Sequence, residues 1–186
     1  RPCQTILKHI GNHGATFSNA FVNTPVCSPR PHFYIVPQCL QPSAIAVFGQ
    51  ICCPSRAEIQ TGRLMHNTKV LDNKCGGMEF IRNAEKLNVA ASLKAHDPDY
   101  STFYAGKYLN NYGTRKVGGV EHIPPGWDQW YGLVGNSKYY GYTVSNNGVA
   151  EKHGHDYAKD YFTDRVANRS LEFMSAALEK KNPFFM

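Results

Sequence analysis

Cys52-Cys53-Pro54-Ser55-Arg56, followed by Thr61-Gly62-Arg63, is the segment of this chain whose residue types and spacing suit chemistry. It places a cysteine just before a helix that Pro54 can start, since proline fits the first helical turn. Unsatisfied N–H groups at such a start favour anions and lower the pKa of a nearby thiol. Arg56 lies four residues beyond Cys52 and can reach back over the first turn. Its planar fork matches an oxyanion. Lys107 is a second cation, at the end of a short apolar run, where α/β proteins often place ligands. Taken by themselves these residues describe an oxyanion site with a reactive side chain. A thiolate phosphatase would need a glycine-rich loop between cysteine and arginine, and Pro54 and Ser55 stand there instead.

The elements that must position these groups alternate between helix and strand. Ile6, Leu7 and Ile10 share a helical spacing that Gly11 or Gly14 can end. Thr16 to Val22 reads as an extended segment. Pro54 to Thr61 reads as a short helix closed by Gly62, and Ala84 to Ala95 as a second, with Leu87, Ala90, Ala91 and Lys94 along one stripe. Thr102 to Ala105 then forms a buried strand, with Gly106-Lys107 at its end. Residues 110–155 are rich in Gly, Tyr, Asn and Pro and read as loops with short strands, Tyr139 to Val144 being the best candidate. Asp156 to about Leu178 returns to helix, Phe173 and Ala177 on one side and Arg165, Asn168 and Glu172 on the other. Helix, strand and end-of-strand lysine make an α/β pattern.

The bulk properties narrow the classes further. The chain has 186 residues, 42% of them hydrophobic, and a formal charge of +6. That charge favours polyanions, yet it is dispersed, and neither a zinc-finger spacing nor an RNA-binding signature is present, so nucleic acid is not an expected partner. The six cysteines (Cys3, Cys27, Cys39, Cys52, Cys53, Cys75) contain no C-x-x-C pair. No run of 18 apolar residues predicts a membrane span. Arg1-Pro2-Cys3 at the start and Pro183-Phe184-Phe185-Met186 at the end predict a piece truncated on both sides.

The spacing C-x-P-S-R-x(4)-T-G from Cys52 to Gly62 resembles the signature of the sulfatase family. Thr16-Phe17-Ser18-Asn19-Ala20-Phe21-Val22 resembles the segment that leads into the family's nucleophile. Ala105-Gly106-Lys107-Tyr108-Leu109-Asn110 resembles the glycine-lysine motif as the branch acting on glucosamine 6-sulfate carries it. Gly118 to Trp127, Asn136-Ser137-Lys138-Tyr139-Tyr140, Lys152-His153-Gly154 and Asp160 to Asp164 are similar to the same branch.

This resemblance implies an alkaline-phosphatase-like mixed sheet sandwiched by helices, with residues 1–186 as part of the catalytic domain. It implies that Cys52, not Cys53, is oxidised to formylglycine by a separate formylglycine-generating enzyme. The hydrated aldehyde then attacks sulfur through one hydroxyl, the alcohol leaves, and the second hydroxyl helps expel sulfate. Calcium, with residue 52 among its ligands, polarises the sulfate oxygens. Arg56 holds the diol, and Lys107 binds the sulfate. His66 resembles a histidine of the family's His-Asn-His stretch, Thr68 replacing the second histidine, and implies substrate contact. His122, His153 and His155 are weaker candidates for the substrate groove. Asn168-Arg169-Ser170 fits an N-glycosylation acceptor. The implied function is removal of the 6-sulfate from N-acetylglucosamine in heparan or keratan sulfate, in lysosomes reached through the secretory pathway. The alternatives are an extracellular heparan endosulfatase, or an inactive module that still binds sulfated glycosaminoglycans.

Two departures stand against that pattern. The paired aspartates of the family's calcium cage have no counterpart here, and the spacing of Asp72, Asp97 and Asp99 does not reassign it to them. Residues 27–51 also separate Val26 from the double cysteine, where the family runs almost directly on. This stretch holds Pro29, Pro31, Pro37 and Pro42 and has Arg30 as its only charged residue. Its Cys27-Ser28-Pro29-Arg30 copies the signature only in part. The composition change predicts a retained intron or gene-model artefact. Sequencing the transcript across this region tests the artefact, which predicts a message without these codons, and a message encoding all of them rules the artefact out.

Overall fold

The computed structural model describes residues 7–14, 52–73, 80 and 84–186. The segment Thr16 to Val22, the stretch 27–51 and its partial signature lie outside the described residues. Leu7–Gly11 forms one wide helical turn at the place expected.

The helix expected from Pro54 begins two residues earlier, so α1 is Cys52–Thr61 and Cys52 is its first residue. Gly62 ends it with φ +64, and its N–H reaches the Glu58 carbonyl at 2.7 Å. A four-residue helix, α2 (Met65–Thr68), follows; the Glu58 carboxylate accepts from its first N–H at 2.8 Å. The helix expected over Ala84 to Ala95 divides. A 3₁₀ turn covers Glu85–Leu87, and α3 runs Val89–His96. Asn88 makes the division. Its side chain accepts from Ala91 N–H at 2.9 Å and donates to the carbonyls of Glu85 at 2.7 Å and Pro125 at 2.8 Å. A buried asparagine that caps one helix and ties down a distant loop outweighs the helical periodicity around it.

Strand β1 is Ser101–Lys107, β2 Gln129–Leu133, β3 Thr143–Asn146, β4 Val149–Lys152 and β5 Phe184–Phe185. They form one sheet in the order β4-β3-β2-β1-β5. β1 pairs in parallel with β2, from Phe103 opposite Gln129 to Lys107 opposite Leu133, and in parallel with β5. The β2–β3 and β3–β4 pairs are antiparallel. The last of these is a two-residue hairpin through Asn147-Gly148, whose φ values of 50° and 88° are those such a turn demands. The sequence expectation of a strand over Tyr139 to Val144 is corrected: only Thr143 and Val144 are in β3, and β2 was not anticipated.

Alternation along the strands sorts their side chains to two cores. Trp130, Tyr104 and Phe185 join Ala57, Phe80, Ala90, Tyr108, Tyr112 and Trp127 on the face covered by α1 and α3. Phe103, Tyr131, Leu133, Val144 and Phe184 join Phe173 and Ala177 on the other. That second face is covered by the long helix. It too divides: Asp156 caps α4 (Tyr157–Asp160), Tyr161 is extended, and α5 runs Phe162–Lys180. The Phe173 ring lies 5.1 Å from Phe103. The central strands are thus buried on both sides, as parallel strands between helices require. Among the described residues no helix is long and apolar enough to cross a membrane.

A charged clasp joins β4 to the helices. His153, 7% exposed at its side chain, lies 2.9 Å from Glu151 and 3.4 Å from Asp160, and Arg165 reaches Glu151 at 3.4 Å. Burial raises the Glu151 pKa, but the Asn146 hydrogen bond and the charges of His153, Arg165 and Arg169 outweigh it and hold it below 4.5. The Asp156 N–H, then Gly154 and His153, hold Asp160 below 3.8. Carboxylates depressed in the folded state stabilise it above their ordinary values and lose that contribution as pH falls through the folded ones. The melting temperature is therefore expected to carry no loss from this clasp down to about pH 5 and to fall below about pH 4. Glu151→Gln is expected to lower it at pH 7 and to shrink the acid fall; an unchanged acid limb contradicts the assignment.

Candidate functional site

The two adjacent cysteines have different surroundings. Cys53 is buried and disulfide-bonded, to a partner outside the described residues. Its N–H donates to Asn73 Oδ1 at 3.1 Å, and its sulfur accepts from the Asn110 N–H at 3.3 Å. Cys52 is half-buried and retains its thiol. The pinned neighbour therefore fixes the backbone from which Cys52 projects. Cys52 stands in the first turn of α1, where N–H groups lack intrahelical acceptors and the helix dipole favours negative charge.

Arg56 follows one turn later, on the same side of α1 as Cys52. Its Nη1 donates to the Lys107 carbonyl at 2.6 Å, joining α1 to the carboxyl end of β1. The same carbonyl accepts the Tyr104 hydroxyl at 2.5 Å. Tyr104 is held by a stack on Trp130, ring centres 4.6 Å apart. Burial pushes its phenol up to about 12, against the pull of the Arg56 charge, so it remains a donor at neutral pH. The Lys107 ammonium donates to Asn136 Oδ1 at 2.8 Å.

Arg56 and Lys107 are thus in direct contact, and Cys52 shares the helix that carries Arg56. Lys107 ends β1 and the Arg56 guanidinium reaches its carbonyl, so both lie at the carboxyl end of a parallel strand, the usual ligand edge of an α/β sheet. A guanidinium, an ammonium and a helix start are groups of the kind that recognise a tetrahedral oxyanion. His66 is exposed on α2 and makes no hydrogen bond to Cys52, Arg56 or Lys107 among the described residues. His122 bonds to the buried Glu85 at 2.8 Å, and His153 lies within the clasp, so both are engaged inside the fold. His155 is exposed beside Tyr140. Asn168 is exposed on α5. Trp127, Trp130, Tyr131 and Tyr142 are packing residues in the cores, whereas Tyr139 is 65% exposed. Among the described residues no three His, Cys, Asp or Glu side chains gather to hold a cation.

Two contributors were not singled out from the sequence. Tyr104 looked like core. Asn136 was part of a recognised run but had no role. The available signal was its place just after an apolar stretch at a strand end, in a Gly-Asn-Ser turn.

The sulfatase family model matches residues 43–186. A human protein described as N-acetylglucosamine-6-sulfatase is 43% identical over 182 residues, covering 95% of this chain and 28% of that protein. A Drosophila melanogaster protein described as an extracellular sulfatase SULF-1 homolog is 34% identical over 176 residues, 94% of this chain and 13% of that protein. A Caenorhabditis elegans protein described as a putative extracellular sulfatase Sulf-1 homolog is 48% identical over 126 residues, 67% of this chain and 17% of that protein. Among solved structures, that of BT4656 in complex with D-glucosamine-2-N,6-O-disulfate matches with TM-score 0.50 at 23% identity, over 71% of this chain and 23% of that one, and agrees with the fold described above. The chain therefore spans less than a third of each of these relatives. The helix-flanked mixed sheet is the partial alkaline-phosphatase/sulfatase fold anticipated from the signature, and the chain belongs to the sulfatase family.

Proposed function

We propose that the full-length protein is a sulfuric ester hydrolase that removes 6-sulfate from N-acetylglucosamine in heparan or keratan sulfate, with residue 52 converted to formylglycine. The observation that carries this reading is the 2.6 Å bond from Arg56 to the Lys107 carbonyl. It joins the helix bearing the modifiable cysteine to the strand end bearing the cation. The name of the human relative supports the substrate class.

The chain's own residues then take these roles. Formylglycine at position 52 supplies an oxygen nucleophile and a route to release of sulfate. Lys107 binds a sulfate oxygen through its ammonium and draws negative charge toward the end of β1. Arg56 has one N–H on the Lys107 carbonyl, lies against the Tyr104 hydroxyl, and has further N–H groups that can meet the oxyanion or the oxygens of residue 52. The dipole at the start of α1 adds a fixed positive end that needs no reorganisation. The Cys53 disulfide keeps that turn in place and takes the second sulfur out of competition for oxidation. Among the described residues no group of carboxylates or other ligands forms a calcium site. His66, exposed nearby in sequence, would meet the sugar rather than the sulfate. Residues 1–186 form part of the catalytic domain, Asn168 carries a glycan, and the protein reaches the lysosome through the secretory pathway. A second reading, an extracellular enzyme, is favoured by the 48% identity to the Caenorhabditis elegans relative.

Mass spectrometry of the residue-52 peptide, from full-length protein made in cells that hold the modifying enzyme, is expected to show formylglycine. The same protein is expected to release sulfate from N-acetylglucosamine 6-sulfate. Cys52→Ala is expected to abolish release, and Lys107→Met to lower kcat/KM about a hundredfold. An active protein with an intact Cys52 thiol contradicts the reading.

A further inference from the structure

We infer that Asn136 is a positioning residue for Lys107: its neutral carboxamide aims the ammonium at the anion and leaves its charge undiminished. The inference rests on the proposed role of Lys107 in holding the sulfate ester.

The geometry starts from the loop after β2. β1 and β2 are parallel with Lys107 opposite Leu133, so the residues after Leu133 emerge at the edge where Lys107 ends β1. The loop is tied on its way out. Val134 N–H donates to the Thr143 carbonyl and Gly135 N–H to the Tyr112 carbonyl, both at 2.9 Å. Gly135 has φ +73, a conformation glycine adopts without strain, and this turns the chain toward Lys107. The backbone that leads into the exposed Asn136 is therefore set by these two ties.

Its carboxamide oxygen has two donors, the Lys107 ammonium at 2.8 Å and the Ser137 N–H at 2.9 Å. Two donors on one atom fix which end of the carboxamide faces the lysine. Nδ2 then points away from the ammonium and has no protein partner among the described residues. An ammonium has three donors, so one bond to Asn136 leaves two for an anion.

The choice of a neutral acceptor matters. A lysine on its four-carbon stem loses rotamer freedom when an anion captures it, and prior restraint by Asn136 lowers that cost. An aspartate in its place would restrain the stem equally well but would form an ion pair and cancel the charge that draws the sulfate. Among the described residues no carboxylate makes an ion pair with Lys107. Asparagine supplies the restraint without the cancellation.

A double-mutant cycle on the full-length enzyme tests this, reading kcat and KM on N-acetylglucosamine 6-sulfate. Asn136→Ala is expected to lower kcat/KM about tenfold, the loss of one hydrogen bond to a charged group, mainly through KM and with the melting temperature unchanged. Asn136→Asp is expected to lower it further, about a hundredfold, although it keeps an acceptor. In a Lys107→Met background neither substitution is expected to add to the loss. Binding of the sulfated sugar to Cys52→Ala protein gives the same cycle without turnover. The inference is overturned if Asn136→Asp is no worse than Asn136→Ala, or if Asn136→Ala costs as much without Lys107 as with it. The underlying reading fails by a different result, an unchanged kcat/KM in Lys107→Met alone.

Discussion

The Lys107 carbonyl oxygen takes two donors, the Arg56 guanidinium at 2.6 Å and the Tyr104 hydroxyl at 2.5 Å. One comes from the helix and the other from the strand itself. A hydrogen bond from a charged donor contributes about 1.5–3 kcal/mol, and this half-buried one belongs at the lower end. Its larger consequence is geometric. It sets where the first turn of α1 lies against the edge of the sheet, and so where Cys52 stands relative to Lys107. Tyr104 transmits the rigidity of the aromatic core, through its stack on Trp130, to the same oxygen. Lys107 is then held at both ends, by its carbonyl from below and by Asn136 at its ammonium.

The double cysteine places two adjacent sulfurs in different surroundings. A buried disulfide sulfur at Cys53 fixes the helix entrance, and Cys52 stands half-buried beside it. Pro54, third in the helix, suits a first turn because the N–H it lacks would have no intrahelical acceptor there. Arg56 and Lys107 therefore have directions set by the fold rather than by a ligand. Such preorganisation is what electrostatic catalysis on an oxyanion needs.

The signature from Cys52 to Gly62 was legible because its residues are close in sequence and each has a local helical reason. β1 was legible from its apolar run, and α5 from the stripe through Phe173 and Ala177. β2 was missed because Gly132 and the tyrosines around it made a strand look like loop, although Trp130, Tyr131 and Leu133 are all buried. Asn147-Gly148 between two short strands was a hairpin signal that the aromatic run over Tyr139 to Val144 masked. Asn88 broke a helix for a reason that lies 37 residues away, at Pro125. The same limit applies to the site. Arg56 meets Lys107 across 51 residues and Lys107 meets Asn136 across 29, and spacing along the chain says nothing about partners brought together by a sheet.

The central claim is that residue 52, Arg56 and Lys107 face one sulfate. A crystal structure of the full-length protein, inactivated by Cys52→Ala and soaked with N-acetylglucosamine 6-sulfate, tests it most directly. The account predicts the sulfate at the first turn of α1, with one oxygen within hydrogen-bond distance of Lys107 Nζ and the sulfur facing the Cβ of residue 52. A sulfated sugar bound in a pocket that none of these three residues lines would contradict it.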